Sequence, residues 1–140
     1  MKALLISLLL ALLALAAGGC KPQPPAKAQA EFDAQFVLKT AMEGGRMVFL
    51  GVGGEIDGLI NPDLRVQPGD TIYLTLLNGD GMAHDLAIDD LGVKTALIIS
   101  ESDSVHTVFE VSEAGVYAYY CTVSGHRLAG MEGKLIVAQP

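Results

Sequence analysis

The sequence predicts an all-β domain folded as a Greek-key β-sandwich, and three observations carry that prediction. Apolar residues recur with period two in several short segments, the pattern of half-buried antiparallel strands. Turn signals rich in Gly, Pro and Asp separate these segments at short intervals. Within the domain the chain shows no internal repeat and no long amphipathic helix to suggest a mixed fold.

The elements follow in chain order. Residues 1–19 begin with Met1 and Lys2, continue as an apolar run over 3–17 and end on the small pair Gly18, Gly19. This reads as a secretory signal peptide, because the run is shorter than the roughly 18 to 20 residues a spanning helix needs. The segment AAGGC resembles a bacterial lipobox, in which the cysteine, here Cys20, becomes lipidated and N-terminal after cleavage. The match departs at Ala17, where leucine is usual, so ordinary cleavage to a soluble periplasmic form is the alternative. Residues 20–30 then form a Pro/Ala-rich tether, KPQPPAKAQA, without a large apolar side chain. In extended geometry, at about 3.1 Å per residue, it would hold a domain some 30 Å from a membrane surface.

Residues 31–140 are one domain's worth of chain. Residues 32–42 fit either a helix or a strand. In TIYLTLLN, Ile72, Leu74 and Leu76 share one face while Thr71, Tyr73 and Thr75 share the other. His84 falls on the face of Leu86 and Ile88, opposite Asp85, Ala87 and Asp89, and so opens a strand with its ring toward the core. In SVHTVFEVS, Val105, Thr107, Phe109 and Val111 face inward and leave His106 on the surface; KLIVA closes the domain. Pro68-Gly69-Asp70, Asn78-Gly79-Asp80-Gly81 and Glu113-Ala114-Gly115 mark turns, and Tyr117 stands where a tyrosine corner would pin a crossing connection. Met42, Met47, Tyr73 and Tyr119 are read as packing, and the pair Asp89-Asp90 as a solvated turn.

The chemistry concentrates in CTVSGHRLAGM, directly after the aromatic strand VYAYY. It places Cys121, His126 and Met131 on one short loop, with four residues between successive members. With His84 upstream these are two imidazoles, a thiolate and a thioether, which suit a mononuclear trigonal copper with a weak axial ligand. The chain has two cysteines and Cys20 sits at the edge of the leader, outside the folded domain, so Cys121 is read as the lone thiol of an exported domain. An oxidising compartment favours disulfides, and metal ligation explains why this thiol has no partner. Glycines 125, 130 and 133 would let the loop curl until its side chains converge. Singly, His84 could be a hydrogen-bonded core histidine, and Cys121 or Met131 plain packing.

Over residues 47–137 these features resemble the cupredoxin family of type 1 blue-copper proteins. The run MVFLGVGGEIDGLINPDLRVQPGDTIYLTLLN, the segment MAHDLAI and the ligand loop carry the resemblance. The loop spacing is similar to the auracyanin and azurin kind, and to copper domains associated with copper nitrite reductases. The resemblance implies one copper ion cycling between Cu(I) and Cu(II), bound by ring nitrogens of His84 and His126, by the Cys121 thiolate and axially by Met131. It also implies an electron port at the edge of His126, rimmed by Met82, Ala83, Leu128 and Ala129. Family members commonly carry asparagine after the first histidine, where this chain has Asp85.

The implied function is a single-electron carrier between periplasmic or membrane redox proteins, not an enzyme, since protein groups fill every position around the metal. Neither a second copper site nor a two-cysteine loop is present in the sequence. A periplasmic copper chaperone or storage protein is the alternative. The sequence carries a formal net charge of −7. That balance argues against nucleic acid as a partner, and the expected form is a monomer without a small-molecule substrate, reaching the membrane through its lipid anchor.

Overall fold

The computed structural model describes residues 31–139. The leader assigned to residues 1–19, and Cys20 with the tether through residue 30, lie outside the described residues. Among the described residues, nine strands form two sheets. The first has the order β2 (Arg46–Gly51), β1 (Ala34–Glu43), β4 (Thr71–Leu77), β7 (Ser104–Glu110). The second has the order β3 (Asp63–Val66), β9 (Glu132–Val137), β8 (Gly115–Tyr120), β5 (Ala87–Ile88), β6 (Val93–Lys94).

The ambiguous segment at 32–42 is strand, because it pairs on both edges, with β2 on one side and β4 on the other. Gly44 and Gly45, both with positive φ, form the tight turn between β1 and β2, a geometry that matches the strands' own twist. Period-two burial places Leu38, Phe49, Ile72, Leu74 and Leu76 of the first sheet against Leu64, Val66, Tyr119, Leu135 and Val137 of the second. Removing this apolar surface from water is the main favourable term holding the sheets together. The Gln67-Pro68-Gly69-Asp70 turn closes through Asp70 N–H donating to the Gln67 carbonyl at 3.1 Å, with Gly69 at positive φ. The Tyr117 hydroxyl donates to the Glu113 carbonyl at 3.0 Å, forming the expected corner.

Several expectations need correction. The strands are not all antiparallel: β1 runs parallel to β4, and β3 parallel to β9. In each case the chain leaves the sheet and returns before the two strands meet, which is what parallel pairing requires. Burial does not alternate across residues 84–88, since Asp85, Leu86, Ala87 and Ile88 are all buried. Thr122 hydrogen-bonds the Asp85 carboxylate, and Ala87 and Ile88 lie in the sheet between β8 and β6. His84 itself makes an isolated two-way bridge with Ile98, both hydrogen bonds being 2.9 Å, and does not open a regular strand. Met42 is about half exposed, because it lies at the outer end of the β1–β2 hairpin.

Candidate metal centre

Two segments meet at one end of the sandwich. The first leaves β4 at Asn78, a buried side chain that organises the turn after it. Its Oδ1 accepts from Gly81 N–H at 2.8 Å and Asp80 N–H at 3.3 Å, and its Nδ2 donates to the Met82 carbonyl at 2.7 Å. Gly81 has φ 74°, a left-handed value that glycine adopts at little cost. The turn delivers His84 into the interior, where its exposure is 0%.

The second segment is the ligand loop between β8 and β9. Cys121 N–H donates to the Met131 carbonyl at 3.2 Å, continuing the β8–β9 ladder, and Met131 N–H donates to the His126 carbonyl at 3.1 Å. Further hydrogen bonds from His126 to Val123 and from Ala129 to Gly125 curl the loop back on itself. Gly125 and Gly130 have positive φ, as the tight curl requires. Gly133 serves a different purpose: it is paired within β9 opposite Tyr119, and its missing side chain makes room for that ring. Asn61, also at positive φ, ties the loop to the first sheet by donating to the Gly130 carbonyl at 2.7 Å and accepting from Phe49 N–H at 2.9 Å.

The result is a buried triangle of donors. His84 Nδ1 and His126 Nδ1 are 3.3 Å apart, His126 Nδ1 and Cys121 Sγ 3.5 Å, and His84 Nδ1 and Cys121 Sγ 3.9 Å. A triangle of those edges has one point about 2.1 Å from every corner, against about 2.0–2.1 Å for a typical metal–nitrogen and 2.3 Å for a metal–sulfur bond. Met131 is fully buried on the same loop. Burial pushes the Cys121 thiol up, so without a metal it keeps its proton. Burial, and then the neighbouring His84, hold His126 below the ordinary imidazole range, which leaves a lone pair free for coordination. A soft sulfur with two imidazole nitrogens is a donor set that fits copper.

Around the triangle the predicted residues separate into buried and surface roles. Burial acts to raise the Asp85 pKa, but hydrogen bonds from the Thr122 hydroxyl and N–H, and then from Lys94, outweigh it and hold the carboxyl below its usual range. Asp85 thus ties the segment at His84 to the residue after Cys121, with the Thr122 N–H at 2.6 Å and Lys94 Nζ at 3.3 Å. Ala83 and Ala129 are half-buried, and Met82 and Leu128 are exposed, Leu128 at 95%. His126 is 8% exposed, against 0% for His84. Beside the loop, Arg127 lies 3.8 Å over the Tyr120 ring and forms a two-pronged pair with Glu132, while the Tyr120 hydroxyl donates to Asp89.

Sequence reasoning passed over three residues of this scaffold. Asp80 lies within a motif read only as a turn, yet its carboxylate meets His84 Nε2 at 2.9 and 3.1 Å. Its spacing of four residues from His84 is the one sequence signal that could have found it. Asn61 acts across 69 residues of chain, which no local pattern reveals, whereas Asn78 acts within the turn motif itself, on Asp80, Gly81 and Met82.

The comparisons with known proteins agree with this geometry. Residues 59–138 match the family described as copper binding proteins, plastocyanin/azurin family. No curated protein matches the sequence. Among solved structures, auracyanin B superposes with a TM-score of 0.56 at 20% identity, covering 80% of this chain and 94% of that one. Rusticyanin from Thiobacillus ferrooxidans gives a TM-score of 0.60 at 25% identity, covering 74% of this chain and 76% of that one. A Cu-containing nitrite reductase from Thermus scotoductus SA-01 gives 0.56 at 24% identity, covering 74% of this chain but only 27% of the enzyme. With a β-sandwich, a buried donor triangle that fits one copper ion and a family match across most of the described domain, the chain belongs to the plastocyanin/azurin family of copper-binding proteins.

Proposed function

We propose that the protein is a single-electron carrier whose copper is held by His84, Cys121, His126 and Met131. The observation that carries this reading is the convergence of two Nδ1 atoms and one Sγ in a buried site. Bound there, copper supplies a one-electron couple between Cu(I) and Cu(II). The chain's own groups do the rest. Cys121 gives up its proton on loading, because a coordinating thiol binds as thiolate. Met131, buried on the same loop, would supply the thioether donor. Hydrogen bonds through Asn61, Asn78 and Asp85 hold the two segments in place, so the donors move little when one electron comes or goes. With Met131 as the fourth donor, protein groups would fill the positions around the metal, which supports transfer over catalysis on a substrate.

The edge of His126 is the electron port, and Met82, Ala83, Leu128 and Ala129 form the apolar rim on which a redox protein docks. A small apolar rim favours brief encounters over lasting complexes. The remaining context is also our reading: the chain is exported, processed at Cys20, lipidated there and held at the periplasmic side of a membrane as a monomer, its tether giving it reach to membrane partners.

The test is a visible absorption spectrum of the Cu(II)-loaded protein, before and after ascorbate. An intense copper–thiolate band that bleaches on reduction and returns on oxidation is expected. Copper bound without that band would refute electron transfer in favour of storage or delivery, and no binding would refute the metal assignment.

A further inference from the structure

We propose that Asp80 is a positioning residue of the metal centre: its carboxylate keeps a proton on His84 Nε2, turns Nδ1 toward Cys121 and His126, and biases bound copper toward Cu(II). The inference rests on the copper reading above. A metal-ligating imidazole has two nitrogens, and the partner of the outer one sets which of them carries the proton. His84 has 0% exposure, so bulk solvent does not reach that nitrogen. Asp80 does, with Oδ1 at 2.9 Å and Oδ2 at 3.1 Å from Nε2. A carboxylate oxygen accepts, so Nε2 is the donor, and in the neutral ring that tautomer leaves Nδ1 with its lone pair facing the other two ligands.

The carboxylate is itself held in place. Asp80 Oδ1 also accepts from Met82 N–H at 3.0 Å, and the backbone N–H of Asp80 is tied to Asn78. Asn78 in turn lies within 3.5 Å of the Thr40 hydroxyl on β1, which links the turn to the first sheet. Among the described residues no lysine or arginine pairs with Asp80, in contrast to Asp85, which has Lys94. The Asp80 charge is therefore directed at the imidazole. A negative charge behind a ligand raises the ligand's basicity and stabilises the more positive metal state, here Cu(II) over Cu(I).

Two measurements decide the matter. In the metal-free wild-type protein, nitrogen-15 NMR of the histidine rings should find Nε2 of His84 protonated; a bare Nε2 overturns the proposal without any variant. In copper-loaded protein, Asp80→Asn keeps an oxygen acceptor and removes the charge. It should retain the chromophore and lower the Cu(II)-to-Cu(I) affinity ratio about tenfold, which for a one-electron couple raises the reduction potential by about 59 mV. An unchanged potential in a blue, folded variant overturns the redox bias. Should Asp80→Asn fail to fold, the wild-type NMR result still stands for or against the positioning claim. A wild-type protein that takes up no copper overturns the reading above, and the redox bias with it, while the state of Nε2 still decides the positioning claim.

Discussion

Gly133→Ala tests how tightly the ends of the ligand loop are clamped. Tyr119 lies two residues before Cys121 and Gly133 two residues after Met131, directly opposite one another across β8 and β9. A Cβ added at Gly133 would stand 2.2 Å from both Cζ and Oη of Tyr119 and 2.6 Å from Cε1. Comfortable contact between carbons begins near 3.5 Å, so the ring would have to move by about 1 Å or more. It has little freedom to do so. Tyr119 is fully buried, its hydroxyl donates to the Pro62 carbonyl at 2.8 Å, and its ring packs on Phe49 with centroids 5.5 Å apart. Overpacking a filled core costs about 1–3 kcal/mol. Losing the buried hydrogen bond adds about 1–3 kcal/mol. The expected loss is therefore about 2–6 kcal/mol, which for a domain near 100 residues lowers Tm by about 10 °C or more. Urea titration of the metal-free protein measures it without a contribution from bound copper. In a Tyr119→Phe background one of the two nearest atoms is gone, and the cost of Gly133→Ala should fall. A loss below about 1 kcal/mol in the wild-type background would mean that the ring has room, and the clamp would be refuted.

Three further outcomes follow from the same geometry. Asp85→Ala strips the acceptor from the Thr122 N–H and hydroxyl and should cost the metal-free protein about 2–4 kcal/mol in urea titration, while Asp85→Asn should recover part of it by still accepting from the N–H; equal losses for the two would contradict this role. Cys121→Ser should abolish the copper–thiolate band and leave the far-UV circular dichroism and the fold intact, and a variant that stayed blue would refute the ligand assignment. Leu128→Asp should leave the visible spectrum and Tm unchanged, because the side chain is 95% exposed, yet slow electron exchange with a redox partner about tenfold, equal to about 1.4 kcal/mol of docking free energy. Unaltered exchange kinetics would move the port away from this rim.

Much of the site was legible in the chain because its signals are local. Cys121, His126 and Met131 lie within one loop, and the spacing of their residue types already matches a copper donor set. The sandwich was legible for a similar reason, since period-two burial in β4 and β7 follows from strand geometry alone. Alternation failed at residues 84–88, where successive residues are all buried and pattern no longer reports burial. The glycines divide in the same way: Gly125 and Gly130 serve the curl of the loop through their positive φ, whereas Gly133 answers to a ring on the adjacent strand.

Sequence therefore carried the fold class and the three residues that meet in the buried triangle, His84, Cys121 and His126, because periodicity and short spacings are set by the backbone's own geometry. Tertiary structure alone decided which strands run parallel, which nitrogen of each histidine faces the thiol, and that Asp80 stands behind His84 while Asn61 and Asn78 hold the loops. The strand directions and the Asn61 contacts join segments far apart in the chain, while the Asp80 and Asn78 contacts, though only four residues long, depend on how one turn folds and one ring rotates, and neither kind leaves a period in the sequence. The donor triangle closes only when β4 and β8, from opposite sheets, bring their exits to the same end of the core.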